Sequence, residues 1–410
     1  MQVTEFYEQI LKLEAPWSVR EARVNHAAQE IEIQASCAET LWGCPQCQQR
    51  AHLHAYERRR WRHRDTCQYK TFVVSEVPRV KCPEHGTVQV TVPWAERLSR
   101  FTRLFEHWAI DLMLECSIAA ACKLLGISWE AADGIKQRAV IRGLFRKPAQ
   151  SYKKLCVDEK SFGRGQNYVT LVAHIQPGRS ATVEFVGEGR KQESLDAFWE
   201  TLTPEQLAEI QAVGMDMHQD YINSTLEHVP GAKDKIVHDP FHLVRDMNDA
   251  VNDVRKQEQK ALWKEDDWTL DGTRYLWLYG RENLPGRWSA RFDAVKGMNL
   301  KTARAWALKE MFRSFWKCEI REGAEVYFER WYSWAIRSRL EPVKKLARQC
   351  KRHLSNILTY FTHRITNGPI EGLNNKIQAL VKKAYGYRNL ERFKTDILFH
   401  LGGLSLYPTQ

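Results

Sequence analysis

Two short cysteine-rich turns constrain the amino-terminal part of this 410-residue chain more than any other feature. The sequences Cys44-Pro-Gln-Cys47 and Cys82-Pro-Glu-His85 share the pattern C-P-x-[CH], so each turn can direct two side chains at one ion. Zinc in structural sites is held tetrahedrally by four sulfur or nitrogen ligands. The pattern therefore predicts a structural Zn²⁺ bound by these four residues, in a small zinc ribbon over residues 37–97.

The fourth zinc ligand has rivals close by in the sequence, namely Cys67, His52, His54 and His63. We favour His85 because two residues separate it from Cys82, as in the first turn. Between the turns, residues 69–80 alternate in polarity and are rich in β-branched side chains, which is typical of strands. These strands would carry the two halves of the ribbon.

The charge of the chain points to a polyanionic partner. It has 61 Lys and Arg against 50 Asp and Glu, a net charge of +11 and a pI near 9.1, which suits nucleic acid and is also compatible with an acidic membrane surface. No run of 18 apolar residues occurs, and the first 13 residues are interrupted by charges. We expect a soluble, cytoplasmic protein that associates with the nucleoid.

A strongly basic stretch lies between the two cysteine-rich turns. Arginines alternate there with other residues and flank Trp61, a composition that suits contact with phosphates. The predicted DNA-contacting residues of this stretch are Arg58, Arg59, Arg60, Arg62 and Arg64.

Helical periodicity follows over residues 98–150, where apolar residues recur at spacings of three and four. The tract 119–141 contains Gly126, which can open a turn, and Ser128, which can cap a following helix. This pattern indicates a helix-turn-helix, although ordinary helical hairpins share it. Its second helix would present side chains suited to phosphates and guanine edges: Lys136, Gln137, Arg138 and Arg142.

Buried strands that end in carboxylates appear beyond residue 150. Leu155-Cys-Val-Asp158 and Ile210-Gln-Ala-Val-Gly-Met-Asp216 each read as such a strand, and Asp239 ends a third, shorter one. Two further strands, joined by the turn Pro177-Gly178, lie between the first two. The order of three strands, helix, strand, helix and strand resembles the ribonuclease H-like nuclease fold, in which Asp158 and Asp216 occupy the first two acidic positions.

The third carboxylate of that fold comes from a late helix. The segment Asn367-Gly-Pro-Ile-Glu371 supplies one at a helix start, with Asn367 or Gly368 as the cap and Pro369 in the first turn. Two Mg²⁺ or Mn²⁺ ions roughly 3.5–4 Å apart need several carboxylate oxygens around them. Asp158, Asp216 and Glu371 are therefore the predicted catalytic metal ligands. Asp239 is the alternative for the second position, and His218 or His242 could support the ligands.

These motifs together resemble the insertion-sequence transposases of the ISL-three group, and the resemblance covers nearly the whole chain. It is carried by the two cysteine-rich turns, the tract Leu125-Gly-Ile-Ser-Trp129, Val157-Asp-Glu-Lys-Ser-Phe162, Met215-Asp-Met217, His238-Asp-Pro-Phe-His242 and Asn367-Gly-Pro-Ile-Glu-Gly-Leu-Asn-Asn-Lys376. The resemblance implies that the amino-terminal modules recognise the terminal inverted repeats of the element. It also implies that Asp158, Asp216 and Glu371 bind the catalytic metal, with Lys382, Lys383 and Arg388 along the DNA.

The resulting domain prediction is an α+β multidomain protein. It has an amino-terminal region (1–36), the zinc ribbon (37–97), the helix-turn-helix (98–150) and a ribonuclease H-like DDE catalytic domain (151–240 and 366–410). A large α-helical insertion (241–365) interrupts that domain, and its many tryptophans at helical spacing are typical of a core. A homodimer on double-stranded DNA is expected because two ends must be held together. A zinc-ribbon and helix-turn-helix regulator without catalytic activity is the alternative.

Overall fold

The computed structural model describes residues 2–39, 41–163, 167–176, 178, 180–366 and 368–409. The chain divides into two compact units, an amino-terminal unit (Met1–Pro148 with Gly403–Gln410) and a carboxyl-terminal unit (Ala149–Gly402). The mixed α and β multidomain class predicted from the sequence is confirmed. Residues 403–410 differ from the predicted boundary, since they group with the amino-terminal unit, where Arg146 Nη1 donates to the carbonyl oxygen of Tyr407 at 2.5 Å.

The amino-terminal unit contains a short helix and a mixed sheet in the order β1-β2-β5-β4-β3, with β6 paired to β5. Its elements are α1 (Val3–Leu11), β1 (Trp17–Asn25), β2 (Glu30–Cys37), β3 (Trp42–Gly43), β4 (Arg50–Arg62), β5 (Lys70–Cys82) and β6 (Gly86–Gln89). Strand β2 runs parallel to β5, and β4 runs antiparallel to it. The region 1–36, predicted as separate, therefore extends the sheet of the zinc ribbon.

Strand β5 is the centre of this sheet. It has neighbours on both sides, and Val73, Val74, Val77 and Val80 are all buried, as expected for β-branched residues on a strand covered on both faces. Trp61 and Trp94 meet edge to face in the core beside it, with ring centroids 5.4 Å apart.

Three helices complete the amino-terminal unit: α2 (Arg103–Glu115), α3 (Ile118–Leu125) and α4 (Trp129–Phe145). Gly126 ends α3 in the left-handed conformation at φ +63°, which a residue without a side chain adopts easily. The Ser128 hydroxyl accepts a hydrogen bond from the Ala131 N–H at 3.2 Å and caps α4. The predicted turn and cap of the helix-turn-helix are thereby confirmed.

The carboxyl-terminal unit is built on a sheet of five strands in the order β11-β10-β7-β8-β9. The three strands that come first along the chain, β7 (Lys154–Ser161), β8 (Tyr168–Ile175) and β9 (Ala181–Glu188), form an antiparallel meander. Then β10 (Ala212–Met215) pairs parallel to β7, and β11 (Ile236–His238) pairs parallel to β10. The predicted succession of strands along the chain agrees with these five strands, although Pro177 of the predicted turn lies outside the described residues.

Helices account for the rest of the carboxyl-terminal unit. They are α5 (Gln192–Trp199), α6 (Pro204–Glu209), α7 (Gln219–His228), α8 (Pro240–Leu262), α9 (Arg274–Leu278), α10 (Gly286–Lys296), α11 (Lys301–Phe315), α12 (Arg321–Arg337), α13 (Glu341–Arg352), α14 (Leu354–Leu358), α15 (Tyr360–His363), α16 (Gly368–Lys383) and α17 (Leu390–Leu401). Among the described residues, no helix is both long and apolar enough to cross a bilayer.

The helices cover the sheet on both faces. On one face, Leu155 and Val213 pack in a core with Leu195, Trp199 and Tyr221 from α5 and α7. On the other face, apolar side chains of α16 and α17 pack against strand residues, and this core includes Ile370, Leu373, Phe393, Ile397, Cys156 and Leu171. This second core determines where α16 begins relative to the strand ends.

The helices α8 to α15 have a hydrophobic core of their own. Aromatic side chains dominate it, with Trp277, Phe312, Phe315 and Trp331 fully buried. Trp268, in contrast, is 60% exposed. The tryptophans of the segment therefore serve the core only in part.

Candidate functional site

The three predicted catalytic carboxylates line one cavity of about 320 Å³ in the carboxyl-terminal unit. Asp158 lies within β7, Asp216 directly follows β10, and Glu371 lies in the first turn of α16. Because β7 and β10 are parallel neighbours, their aspartates emerge toward the same edge of the sheet. Residues separated by more than 200 positions in the sequence are thus brought to one cavity.

Helix α16 brings Glu371 to this cavity. The buried side chains of Ile370 and Leu373 fix the helix against the sheet, while Glu371 itself remains exposed. The helix begins at Gly368 with Pro369 in its first turn, where the missing N–H of proline costs no hydrogen bond. Asn367, the other predicted cap, lies outside the described residues.

Asp158 is held by hydrogen bonds to both of its carboxylate oxygens. The backbone N–H of Glu159 donates to Oδ1 at 2.8 Å, and Asn374 Nδ2 donates to Oδ2 at 2.6 Å. Burial nevertheless raises the pKa of Asp158, and the nearby charge of Asp216 adds to the rise. A divalent cation between the two carboxylates would offset both effects.

Asp216 is bound to a histidine from the first turn of α8. His242 Nδ1 forms an ion pair with Asp216 Oδ1 and lies 3.6 Å from Asp239 Oδ2. Burial by itself would lower the pKa of His242, but the hydrogen bond and charge of Asp216 outweigh it and leave the pKa raised. His242 and the buried Asp239 both line the cavity, whereas His218 lines a neighbouring cavity that Asp216 also borders.

The structure brings together the four predicted zinc ligands, Cys44, Cys47, Cys82 and His85, with all ligand atoms within 4.8 Å of one another. The Sγ atoms of Cys47 and Cys82 are 3.6 Å apart, and His85 Nδ1 lies 3.6 Å from Cys82 Sγ. Zinc–sulfur bonds of about 2.3 Å in a tetrahedron place neighbouring sulfur atoms about 3.8 Å apart. The observed spacing of the ligand atoms therefore fits a tetrahedrally coordinated zinc ion.

The local environment of Cys82 favours its thiolate form. The backbone N–H of His85 is the main reason that the pKa of Cys82 falls to about 6. The alternatives for the fourth ligand are placed elsewhere: Cys67 is exposed and outside the cluster, and His63 is buried with Nδ1 2.9 Å from Thr102 Oγ1. In the part of the chain that the structure describes, no other three His, Cys, Asp or Glu side chains have ligand atoms this close together. The described carboxylates of the cavity do not all come within this spacing of one another either.

Comparison with known families gives matches along the chain. The family model for the DDE domain of ISL3 proteins, described as a transposase, matches residues 155–397, which is more than half of the chain. The chain belongs to the ISL3 transposase family. The helix-turn-helix domain of transposase family ISL3 matches residues 90–140, and the zinc-finger of transposases IS204/IS1001/IS1096/IS1165 matches residues 40–85. The resemblance to the ISL-three group inferred from the sequence motifs is confirmed.

Curated relatives agree with the family. The transposase for insertion sequence element IS1557 of Mycobacterium tuberculosis is 29% identical over 369 residues, covering 84% of this chain and 82% of the relative. The transposase for insertion sequence element IS1001 of Bordetella parapertussis is 28% identical over 359 residues, covering 85% and 86%. This chain is therefore an insertion-sequence transposase with zinc-ribbon, helix-turn-helix and DDE domains, and nothing in these matches favours a regulator without catalytic activity.

The five arginines predicted to contact DNA from the basic stretch differ in their surroundings, with four on β4 and Arg64 just after it. Arg58 and Arg64 are exposed, and Arg64 lies over the ring of Trp108. The other three are engaged within the unit: Arg59 donates to Gln89 Oε1 at 2.7 Å, Arg60 pairs with Glu30 at 2.6 Å, and Arg62 is buried beside Asp65. Arg58 and Arg64 are thus the members of this group that are best placed to reach phosphates.

The second helix of the helix-turn-helix corrects another prediction. Lys136 and Arg142 are buried rather than presented at a surface. Arg138 Nε donates to Glu106 Oε1 at 3.1 Å, and Arg142 Nη2 lies 3.1 Å from Glu106 Oε2. Gln137 is exposed, and its amide donates to Asp133 at 3.0 Å. Arg142 is buried and Arg138 is half-buried, and acidic residues from neighbouring elements neutralise both.

The predicted cations near the end of α16 remain at the surface of the transposase. Lys382 and Arg388 are exposed, and Lys383 is half-buried. Sequence reasoning missed Asn374 and Arg245, which also line the carboxylate cavity. The motif Gly-Leu-Asn-Asn after Glu371 was the available signal for Asn374, since residues three apart share a helix face.

Proposed function

We propose that this transposase cuts DNA at the ends of its insertion sequence and joins the freed ends to target DNA. The observation that carries the proposal is the convergence of Asp158, Asp216 and Glu371 on one cavity. The strand order β11-β10-β7-β8-β9, with helices on both faces, supports a ribonuclease H-like catalytic domain. The α8–α15 segment, with its separate core, is consistent with a helical insertion in that domain.

The donor atoms of the cavity suit Mg²⁺ or Mn²⁺. Asp158, Asp216 and Glu371 offer carboxylate oxygens, which these ions prefer, and the raised pKa of Asp158 reflects burial together with the neighbouring negative charge of Asp216. Asp158, Asp216 and Glu371 would hold such ions, whose chemistry would be activation of the attacking hydroxyl and stabilisation of the leaving oxygen. His242 holds the Asp216 carboxylate in place, and the hydrogen bonds to Asp158 orient it toward the cavity.

The amino-terminal unit supplies DNA recognition in this proposal. A Zn²⁺ ion held by Cys44, Cys47, Cys82 and His85 stabilises the ribbon that carries the exposed Arg58 and Arg64. The ribbon and the helix-turn-helix bind the terminal inverted repeats of double-stranded element DNA. Two chains form a homodimer on the DNA because two element ends must react together.

Asp158→Asn, Asp216→Asn and Glu371→Gln test the catalytic assignment. Each variant should lose Mg²⁺-dependent cleavage of element-end DNA by more than about a hundredfold and should bind that DNA as tightly as the original protein. Glu325→Gln, at an exposed position of α12, is the matched control and should cleave normally. Cleavage that persists in one of the three variants would remove that residue from the mechanism.

A further inference from the structure

Asn374 shares the carboxylate cavity with the predicted metal ligands. It lies three residues after Glu371 on α16, so the two side chains project from the same face of the helix. Both line the cavity together with Asp158 and Asp216. The next residue, Asn375, is exposed and does not line the cavity.

The contacts of Asn374 join α16 to β7. Its Nδ2 donates to Asp158 Oδ2 at 2.6 Å, across 216 positions of sequence. Its backbone oxygen accepts a hydrogen bond from Lys160 Nζ at 3.3 Å, so a second contact to the same strand comes from the same residue. Asn374 therefore adds two hydrogen bonds to the apolar packing between the helix that carries Glu371 and the strand that carries Asp158.

The orientation of the Asn374 amide follows from charge. Turning the amide over would place its oxygen against the Asp158 carboxylate, which would be repulsive. With Nδ2 toward Asp158, the Asn374 Oδ1 atom is buried and makes no hydrogen bond within the described residues. An unpaired buried acceptor is unfavourable for folding, so stability alone does not account for an amide at this position.

We propose that Asn374 is a positioning residue that orients the Asp158 carboxylate for the divalent ion and fixes its separation from Glu371. This inference rests on the proposed metal-dependent function. Asp158 Oδ1 is held by the Glu159 N–H, and Asn374 holds Oδ2, so together they restrict rotation of the carboxylate. Without the Asn374 side chain, the carboxylate would lose that restriction, and α16 would lose the hydrogen bond from Nδ2 to Asp158. Binding of the ion would weaken as a result.

Titration of the full-length protein with Mn²⁺, followed by electron paramagnetic resonance without DNA, tests the proposal. Asn374→Ala and Asn374→Leu should weaken Mn²⁺ binding by about tenfold or more, the range typical for residues that orient metal ligands. Asn375→Ala is the matched control and should bind Mn²⁺ like the original protein. Asp158→Asn calibrates the loss of a ligand itself.

A second measurement separates positioning from folding. With element-end DNA, the Asn374 variants should need more Mn²⁺ for half-maximal cleavage and should recover most of the maximal rate at saturating Mn²⁺. The proposal is overturned if both variants bind Mn²⁺ normally while Asp158→Asn binds it weakly, or if their maximal rate stays low at every Mn²⁺ concentration. Unchanged Mn²⁺ binding in Asp158→Asn would instead contradict the proposed function. Thermal unfolding identifies a variant that fails to fold. If Asn374→Ala fails to fold, the Mn²⁺ binding of Asn374→Leu, whose side chain is similar in size to asparagine, tests the proposal.

Discussion

Glu106 and Arg142 form an ion pair inside the amino-terminal unit, with 3.1 Å between Glu106 Oε2 and Arg142 Nη2. Both side chains are almost fully buried. The other carboxylate oxygen accepts hydrogen bonds from Ser99 Oγ at 2.8 Å and from Arg138 Nε at 3.1 Å. One carboxylate therefore ties helix α2 to helix α4, the second helix of the helix-turn-helix.

Glu106→Ala should strongly destabilise the amino-terminal unit. Removing one partner of a buried ion pair leaves an uncompensated charge and typically costs about 3–5 kcal/mol. Glu96, at 2.8 Å from Arg142, compensates part of that charge, so we expect the lower end of this range. Denaturant unfolding measures the change. Glu115→Ala, at an exposed position of the same helix, should change the free energy of unfolding by less than about 0.5 kcal/mol. Equal effects of the two substitutions would contradict the assigned role.

His63 should make the amino-terminal unit less stable in mild acid. Burial, reinforced by Arg64 and Arg62, lowers its pKa from 6.5 to about 4. The unfolded chain therefore binds a proton that the folded chain does not, between these two values. The stability contributed by neutral His63 is complete above pH 6.5 and declines as the pH falls toward 4, by at most about 3 kcal/mol.

The difference between the original protein and His63→Gln isolates this effect. The free energy of unfolding is measured at several pH values between 7 and 4, a range that brackets the two pKa values of His63. The variant should show a shallower decline with acid because glutamine does not titrate. Parallel curves for the two proteins would show that His63 is not the responsible group.

Local signals in the sequence predicted much of this architecture. The two residues between each pair of zinc ligands, the Gly126 turn, the Ser128 cap and the presence of strands at Asp158 and before Asp216 all depend on neighbours in sequence, although β7 runs on past Asp158 to Ser161. Such features follow from the conformations open to a few consecutive residues. The family matches assign the zinc ribbon, the helix-turn-helix and the DDE domain to one transposase family.

Contacts between distant residues could not be predicted in the same way. Asn374 meets Asp158 across 216 positions, and Arg142 meets Glu96 across 46. A helix sequence shows that Arg142 is a cation but not that acidic residues from other elements bury it. The inward orientation of Arg142, and the support of Asp216 by His242, therefore required the tertiary structure.

Zinc content should depend on the ligand cluster and not on the neighbouring exposed cysteine. Cys82→Ser should reduce bound zinc from about one ion per chain to nearly none, because a structural site rarely keeps its ion with three ligands. Cys67→Ser should leave zinc unchanged, since Cys67 is exposed and outside the cluster. Elemental analysis of the purified original protein and the two variants measures the zinc bound per chain. Zinc loss on replacing Cys67 alone would reverse the assignment of the ligands.

Exposed Arg58 on β4 and Arg64 just after it should contribute to DNA affinity by neutralising phosphates. Each neutralised phosphate adds about 1 to the magnitude of the slope of log affinity against log salt concentration. Arg58→Ala should therefore weaken element-end binding and make this slope shallower.

Arg23→Ala is the control, because Arg23 is an exposed arginine on β1, at the other edge of the same sheet. Arg62→Ala should instead lower the free energy of unfolding, since Arg62 is buried beside Asp65. Equal salt slopes for Arg58→Ala and the original protein would place the DNA on another surface.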